Sequence, residues 1–342
     1  MESGKDSGSG NLVAIEPWMT PRDYSSERAF QYKLGSYFEA AKRKGFLRSN
    51  TVVVLPEYLG TWLVVVDEKR EVYSRGSKEE AMRDLALSNL PAAIWQAVRS
   101  SSPDRMLYAV LSFKSDTVAG IYDRTLSRLA QDYGVTVVGG SVVLQSPSIR
   151  AGHLVAGQGD LYNVTPVYKP TGEAYSSLVV KCFPTKDEKP FLAEGRVEDL
   201  PVFDTPAGRI GVLICADSWF PKCHAAMLQK GAQVVVSPTF GPERKVLDGI
   251  WKGYSGWPNP PDVDGDPGRI TEREALHRYG LGGRLAASGI PAGMTSCLSG
   301  RLWDMHLDSL CIFVAEGKEQ STPEVEGATI ANLWLTRPRP SP

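Results

Sequence analysis

The chain has 342 residues, of which 42% are hydrophobic and 23% are charged, so it can form a sizeable folded core. With 38 Lys and Arg against 39 Asp and Glu, the formal net charge is −1, and nucleic acid is not an expected partner. No apolar stretch approaches the roughly 18 residues that span a bilayer. The chain is therefore expected to be soluble and cytoplasmic, with an N-terminal leader or anchor left open.

The cysteines are five in number and widely spaced, and none belongs to a CxxC pair. This pattern argues against a disulfide framework and against a structural zinc site. His153, His277 and His306 are isolated and show no ligand spacing, so the sequence predicts no bound metal. The cysteines are Cys182, Cys215, Cys223, Cys297 and Cys311.

Apolar runs rich in β-branched residues alternate with longer helical patterns, which favours an α/β sheet architecture. Gly134 and Gly231 each follow a helical pattern and precede an apolar run, as a glycine at a helix C-terminus does. The predicted strands are residues 11–16, 51–55, 106–113, 135–143, 161–168, 176–180, 209–214 and 233–237. The predicted helices are residues 25–44, 78–98, 117–133, 220–230 and 272–287.

One folded domain is predicted over residues 11–335. Residues 1–10 are rich in Ser and Gly and are expected to be flexible, and the Pro- and Arg-containing residues 336–342 are expected to fray. Within the domain, residues 163–181 are a predicted hairpin around a Lys-Pro-Thr-Gly turn. Residues 253–267 combine Gly, Pro, Asn and Asp, which predicts an irregular surface loop.

Three polar residues follow predicted strands directly: Glu57, Lys181 and Cys215. Because ligands gather at the carboxyl ends of strands in α/β sheets, we expect these side chains to converge on one site. The carboxylate can take the thiol proton, and the thiolate can attack an amide carbon. The ammonium can stabilise both the thiolate and the oxyanion, so this set predicts acyl-transfer chemistry.

Cys215 lies at a turn between an apolar strand and the next helical pattern. The first free N–H groups of such a turn point at the sulfur, so they are expected to lower the pKa of the thiol. The same geometry predicts an oxyanion donor, the backbone N–H of Ala216. Cys223 and His224 are neighbours on a predicted helix and point about 100° apart, which argues against a Cys–His relay.

The motifs around these residues resemble those of the nitrilase superfamily of carbon–nitrogen hydrolases, whose members use a Glu-Lys-Cys triad. The matches are Leu-Pro-Glu57, Lys181-Cys-Phe-Pro and Gly-Val-Leu-Ile-Cys215-Ala-Asp-Ser-Trp-Phe-Pro, in the family's order. The resemblance implies a four-layer α-β-β-α sandwich, a homodimer or higher homo-oligomer, and no cofactor. It also implies hydrolysis of an amide or N-carbamoyl bond through a Cys215 thioester, with Glu57 as general base.

Many members of the superfamily carry a second glutamate after the lysine. Glu188 matches it here, with Asp187 as an alternative. The Asp-Ser-Trp-Phe-Pro that ends the cysteine motif looks more like the amidase and carbamoylase branches than like true nitrilases. The residues flanking the triad are expected to line the oxyanion and substrate site. These residues are Tyr58, Ala216, Asp217 and Trp219.

The chain departs from the family pattern at three places, and the last two are expected to set substrate specificity. Ala216 stands where a Tyr or Trp is usual, which implies a roomier wall beside the thioester. Residues 72–116 are an insertion between the glutamate and lysine motifs. Its apolar run at residues 85–95 is interpreted as a lid, an oligomer contact or a membrane-facing patch. Beyond Thr239 the family pattern is hard to follow.

The motifs leave four functions open. A hydrolase would release an acid from an amide or carbamoyl substrate, and a nitrilase would release an acid from a nitrile. An N-acyltransferase would use an amine in place of water and would bind an acyl chain at the insertion. A catalytically silent binding protein would keep the fold but leave Cys215 with ordinary thiol reactivity.

Overall fold

The computed structural model describes residues 1–99, 102–241, 243–263, 265–323 and 326–336. Nearly all of the predicted tail at residues 336–342 therefore lies outside the described residues. At the other end of the chain, Glu2–Ser3 forms a short strand that pairs with the last strand. The limits of the domain stay a prediction.

The helices and strands occur throughout the described chain. The helices are α1 (Glu27–Arg43), α2 (Lys78–Ser88), α3 (Leu90–Arg99), α4 (Arg105–Phe113), α5 (Ser115–Tyr133), α6 (Pro221–Gln229), α7 (Glu272–Tyr279) and α8 (Leu281–Ser288). The strands are β1 (Glu2–Ser3), β2 (Asn11–Glu16), β3 (Trp18–Met19), β4 (Thr51–Val54), β5 (Thr136–Val138), β6 (Val142–Gln145), β7 (Ser148–Arg150), β8 (His153–Val155), β9 (Leu161–Thr165), β10 (Val167–Tyr168), β11 (Val179–Val180), β12 (Val202–Thr205), β13 (Gly208–Val212), β14 (Val234–Thr239), β15 (Ala292–Cys297), β16 (Ser299–Leu302), β17 (Met305–Asp308), β18 (Ile312–Ala315), β19 (Lys318–Ser321) and β20 (Thr329–Trp334).

Two six-stranded sheets form the centre of the fold. The first has the strand order β1-β20-β2-β4-β5-β10, and the second has the order β12-β13-β14-β15-β18-β19. The pairs β2–β4, β4–β5, β13–β14 and β14–β15 are parallel. A smaller sheet with the order β11-β9-β6 carries the segment that leads into Lys181.

Alternating side chains along β2 sort into two hydrophobic cores. Leu12 and Ala14 pack between the two large sheets, together with Val212 of the second sheet. Val13 and Ile15 point the other way, into the core beneath the helices. Every residue of β2 is buried, and its four central residues form a continuous apolar run between Asn11 and Glu16.

Helices cover the outer faces of both sheets. On the first sheet lies α5, with α1 packed beside it, and on the second lies α8, with α6 packed beside it. The protein is therefore the four-layer α-β-β-α sandwich that the resemblance implies.

The predicted strand at residues 106–113 is wrong, because this segment is the helix α4. An apolar run of this length has no period that separates a buried strand from a buried helix. Asp104 favours the helix locally, since its carboxylate accepts the N–H of Leu107 at 3.0 Å and caps the first turn.

Four other predicted elements are interrupted. The strand predicted at residues 161–168 is divided at Pro166 into β9 of the smaller sheet and β10 of the first large sheet. The helix predicted at residues 78–98 is divided into α2 and α3 at Asn89, and that at 272–287 into α7 and α8 at Gly280. The strand predicted at 135–143 is divided into β5 and β6 by a glycine pair. Gly140 has φ +69°, and a Cβ atom there would lie 2.2 Å from the Pro56 carbonyl oxygen. Glycine at this position lets the chain pass directly against the residue before Glu57.

The predicted hairpin at residues 163–181 is confirmed, since β11 pairs antiparallel with β9. Its turn is closed by the Gly172 N–H, which donates to the Lys169 carbonyl at 2.9 Å. After β14 the chain supplies β15, β18 and β19 to the second sheet and β20 to the first. The sequence patterns predict none of these later strands.

The insertion at residues 72–116 contains α2, α3 and α4. The run at residues 85–95 is only partly buried. Leu85 lies in the core, but Leu87, Leu90, Ile94 and Trp95 are exposed. Among the described helices, none is both long and apolar enough to cross a bilayer. The use of this exposed face stays a prediction.

Candidate active site

The structure brings Glu57, Lys181 and Cys215 together. Glu57 follows β4 of the first sheet, Cys215 follows β13 of the second, and Lys181 follows β11. Glu57 and Lys181 are each only 1% exposed, whereas Cys215 is partly exposed. The three side chains therefore meet where strand ends from different sheets come together.

Lys181 lies between two carboxylates. Its ammonium donates to Glu57 Oε1 and to Glu188 Oε1, at 2.7 Å in each case. The second Glu188 oxygen accepts the N–H of Thr185 at 2.6 Å. Asp187, the alternative for the second glutamate, is exposed. The geometry therefore favours Glu188 as the partner of the lysine.

Glu57 is held at both of its oxygens. Oε1 accepts the side-chain amide of Asn163 at 2.9 Å as well as the Lys181 ammonium, and Oε2 accepts the backbone N–H of Phe240 at 3.1 Å. Neither Asn163 nor Phe240 is among the site residues predicted from the sequence. The available signal is the amide side chain of Asn163 in a strand whose residues are mostly buried.

Burial and charge act in opposite directions on these groups. Burial raises the pKa of Glu57 against the opposing effect of the Lys181 ammonium. Burial alone would also raise the pKa of Glu188, but the same ammonium holds it below its ordinary value. Burial alone would lower the pKa of Lys181, but the two carboxylates raise it. The lysine is therefore charged, and Glu57 is the carboxyl that binds a proton more readily.

The Cys215 thiol differs from the sequence expectation. Burial raises its pKa, the Glu57 charge adds to that rise, and Lys181 only partly opposes it. The expected lowering by the following turn is wrong, because that turn, Cys215–Trp219, is a short 3-10 segment and the helix α6 begins later. Burial therefore favours the protonated thiol, whose sulfur donates to the Phe240 carbonyl at 3.9 Å, and the Glu57 carboxyl lies beside it. Cys215 itself has a φ of +47°.

Asp217 was expected in the oxyanion or substrate site, and the structure places it elsewhere. It is fully buried and accepts backbone N–H groups of the lysine segment, from Cys182 at 3.1 Å and from Phe183 at 2.8 Å. Burial raises the pKa of this carboxyl to about 7. Asp217 therefore ties the cysteine turn to the lysine segment.

The first cavity at the site is called the Glu57 cavity, and it has a volume of about 730 Å³. It contains Glu57, Lys181, Glu188 and Cys215, and Tyr58 lies on its wall with its hydroxyl donating to Glu188. Helices of the insertion complete the wall. The apolar lining residues include Trp62, Val64, Met82, Leu107, Leu111 and Phe191.

The second cavity is called the Trp219 cavity, and it has a volume of about 590 Å³. It also reaches Cys215, and its wall includes Ala216 and Trp219, two residues expected to face the substrate. The apolar lining residues include Phe220, Trp251, Tyr254, Leu276, Leu281 and Ile312. Its wall thus combines the residues after the nucleophile with side chains from beyond β14. The oxyanion role of the Ala216 N–H stays a prediction.

A second cluster of ionisable groups lies at Glu16, Cys297 and Cys311. Their donor atoms all lie within 4.8 Å of one another, and all three residues are buried. Burial raises the pKa of Glu16 to about 7, although hydrogen bonds, first of all from Cys311, offset part of that rise. Sequence spacing does not reveal this cluster, because its members come from distant parts of the chain.

The raised pKa of Glu16 predicts a pH-dependent loss of stability. The folded carboxyl binds its proton more tightly than the unfolded one, so stability falls as pH rises from about 4.5 to about 7. Across this interval the wild type should lose about 3 kcal/mol of its free energy of unfolding, and Glu16→Gln should not show this loss. Denaturant unfolding between pH 4.5 and 8 measures it, with the exposed Glu79→Gln as control. Parallel curves for wild type and Glu16→Gln would contradict the prediction.

The sequence profile described as Carbon-nitrogen hydrolase matches residues 29–259, which is more than half of the chain. Probable hydrolase YhcX of Bacillus subtilis (strain 168) is 26% identical over 137 residues, which are 40% of this chain and 23% of that protein. Nitrilase 3 of Arabidopsis thaliana is 32% identical over 79 residues, which are 23% of this chain and 22% of that protein. The matches span less than a quarter of the length of these two relatives.

Solved structures resemble the protein over nearly its whole length. The amidase from Nesterenkonia sp. AN1, solved as a double mutant in complex with acrylamide, gives a TM-score of 0.58 at 14% identity, covering 97% of this chain and 93% of that chain. Saccharomyces cerevisiae Nit3, a member of branch 10 of the nitrilase superfamily, gives 0.55 at 17% identity, covering 94% and 89%. At these identities the likeness concerns the fold.

The protein thus belongs to the class of α-β-β-α folds, and ionisable groups lie together at the ends of its strands. The profile match identifies the family within that class: the chain belongs to the Carbon-nitrogen hydrolase family.

Proposed function

We propose that this protein hydrolyses the carbon–nitrogen bond of an amide or N-carbamoyl compound through a thioester on Cys215. The arrangement of Lys181 carries the proposal, because its ammonium bridges Glu57 and Glu188 at 2.7 Å beside the thiol. A buried ammonium, a carboxyl with a raised pKa and an accessible thiol are the groups that acyl transfer requires.

In the first half-reaction Glu57 removes the proton of Cys215 as the sulfur attacks the carbonyl carbon. The negative charge that forms on the carbonyl oxygen is stabilised by the Lys181 ammonium and the Ala216 N–H. Glu57 then gives its proton to the leaving nitrogen, the carbon–nitrogen bond breaks, and the amine departs. The acyl group remains on the sulfur as a thioester.

In the second half-reaction water replaces the amine beside Glu57. The carboxylate takes a proton from this water, whose oxygen attacks the thioester carbon, and the acid leaves as the thiol recovers its proton. Glu57 therefore gains and loses a proton in both halves. The raised pKa suits this task, because it brings the carboxyl nearer to neutral pH.

Three other groups act by positioning. Glu188 fixes the lysine from the side opposite Glu57, while Asn163 and the Phe240 N–H fix the two Glu57 oxygens. The buried network lets Glu57 meet the sulfur without losing contact with the ammonium. Homodimer formation stays a prediction from the family resemblance.

The proposal predicts that acid and amine appear in equal amounts from amides, and that intact-mass spectrometry shows an acyl adduct on Cys215. The substrates are a panel of primary and secondary amides, an N-carbamoyl amino acid and a nitrile. A parallel assay with added hydroxylamine measures transfer of the acyl group to an amine. An acyltransferase is favoured if hydroxamate forms with hydroxylamine and no acid forms when hydroxylamine is left out. Acid release from the nitrile alone would favour a nitrilase.

The outcome that contradicts hydrolysis is a protein that turns over nothing in the panel and leaves Cys215 unacylated throughout. In that case a binding protein that keeps the fold is the better description.

A further inference from the structure

We infer that the substrate is a secondary amide with an uncharged apolar group on each side of the scissile bond. This inference rests on the proposed amide hydrolysis and specifies its substrate class. The observation behind it is that Cys215 lines both the Glu57 cavity and the Trp219 cavity. They share Thr185, Cys215 and Phe240 as common wall residues.

The sizes of the cavities favour two large substituents. The Glu57 cavity has about 730 Å³ and the Trp219 cavity about 590 Å³. Either volume lies within the range that binds a drug-sized molecule. A primary amide would release ammonia and leave one of the two cavities without an apolar occupant. Water would then cover apolar walls that a hydrocarbon group can cover more favourably.

The walls of both cavities select against charge on the two substituents. Among the described residues that line the Trp219 cavity, the charged ones are Lys252, which is exposed, and Glu272, which is partly exposed. In the described part of the Glu57 cavity wall, the charged residues other than the proposed catalytic groups are Asp104 and Asp187, which are exposed, and Lys78, which is partly exposed. A carboxylate at the end of a short arm would meet apolar side chains and lose its hydration.

The chemistry decides which arm occupies which cavity. The leaving nitrogen must receive its proton from Glu57, so the amine arm extends into the Glu57 cavity, along the insertion helices. The acyl arm then extends into the Trp219 cavity. Ala216 lies on that wall, and its methyl group leaves space beside the thioester. After the carbon–nitrogen bond breaks, the amine leaves the Glu57 cavity and water can approach the thioester from the same side.

Two substrate series test the inference on the wild-type protein. The first keeps a methylamine leaving group and lengthens an unbranched acyl chain from two to ten carbons. The second keeps an acetyl group and lengthens an unbranched amine over the same range. We expect kcat/KM to rise roughly threefold to fourfold per buried methylene in both series until the cavity is filled. Replacing the terminal methyl of a four-carbon arm by a carboxylate should lower kcat/KM at least tenfold in either series.

Matched variants separate the two arms. Leu276→Trp narrows the Trp219 cavity. It should reduce by about tenfold the increase in kcat/KM that long acyl chains give, and it should leave the amine series unchanged. Leu228→Trp places the same side chain on the exposed surface of α6 and should change neither series. Leu107→Trp narrows the Glu57 cavity and should affect the amine series alone, with the exposed Leu87→Trp as its control. Ile250→Trp, at an exposed position of the Trp219 cavity, serves if Leu276→Trp does not fold.

If kcat/KM stays constant or falls as the arm is lengthened in either series, while short amides are still hydrolysed, this inference is overturned. The proposed hydrolysis then still holds. Narrowing variants that act on the wrong series overturn the assignment of the arms. Failure of every amide in both series overturns the proposed function as well.

Discussion

Replacing Glu57 by Gln should lower kcat for amide hydrolysis by about 10³-fold or more, while the folded structure is retained. The amide of Gln has the size of the carboxyl but cannot take the proton of Cys215 or return it to the leaving nitrogen. Both half-reactions should slow, because the same carboxylate activates the thiol and then water. The amide can still accept from Lys181, but its NH₂ group would face the Phe240 N–H. A modest loss of stability, of about 1–3 kcal/mol, is therefore expected as well.

The pH profile of Cys215 alkylation separates this loss of proton transfer from a distorted site. In the wild type the rate with iodoacetamide should rise with pH as Glu57 ionises and then level off, since the carboxylate accepts the thiol proton. In Glu57→Gln the thiol no longer feels the Glu57 charge, but burial, the larger cause, still raises its pKa. Because no base replaces Glu57, the rise should move above the free-thiol value of about 8.5. The exposed Glu198→Gln serves as control. Identical profiles in wild type and Glu57→Gln would show that Glu57 is not the base.

The three residues that meet at the candidate site could be found in the sequence because each of them follows an apolar strand. The end of an apolar run can be recognised in the sequence, and Glu57, Lys181 and Cys215 stand directly after such runs. That they meet follows from topology, since the two large sheets face each other across one core. The resemblance supplied the four-layer arrangement that local patterns do not contain.

The supporting contacts could not be predicted, because they join residues that are distant in the chain. Glu57 receives its hydrogen bonds from Asn163 and Phe240, 106 and 183 positions away. Asp217 was expected near the substrate because it follows the nucleophile, but the turn directs it toward the backbone after Lys181. The position of Asp217 just after the nucleophile therefore predicted the correct segment but not the direction of this side chain.

The pKa of the thiol could not be predicted from the local motif for a related reason. A strand-to-helix turn suggested a lowered value, yet burial and the neighbouring Glu57 charge outweigh the turn. Segment 106–113 shows the same limit at the level of secondary structure. Its uniform apolar character is compatible with both strand and helix, and only the Asp104 cap and the packing of α4 decide between them.

Replacing Lys181 by Met should abolish measurable hydrolysis and lower the free energy of unfolding by about 3–5 kcal/mol at pH 7. Met fills a similar volume with a flexible apolar chain but carries no charge. Glu57 and Glu188 would remain buried without the ammonium that each contacts at 2.7 Å. Two carboxyls in such a site repel each other when both are ionised. One of them should therefore bind a proton, which offsets part of the loss in the free energy of unfolding. Denaturant unfolding and amide turnover measure the two effects.

The dependence of this loss on pH has a definite sign. In the wild type the lowered pKa of Glu188 contributes stability that is present above its unfolded value of 4.5 and is lost as pH falls through the folded pKa. Without the ammonium both carboxyls favour their protonated forms, so Lys181→Met loses most stability at pH 7 to 8 and less near pH 5. A difference from wild type that stays constant over this interval would contradict the buried ion-pair explanation.

A double variant separates the charge balance from the catalytic role of the lysine. Lys181→Met with Glu188→Gln removes one of the two unpaired charges, so it should recover a substantial part of the lost stability at pH 7. It should not recover hydrolysis, because the oxyanion and Glu57 still lack the ammonium. The exposed Lys186→Met should match the wild type within about 0.5 kcal/mol, which controls for loss of a positive charge in this segment. Hydrolysis by the double variant near the wild-type rate would show that Lys181 balances charge but takes no part in the chemistry.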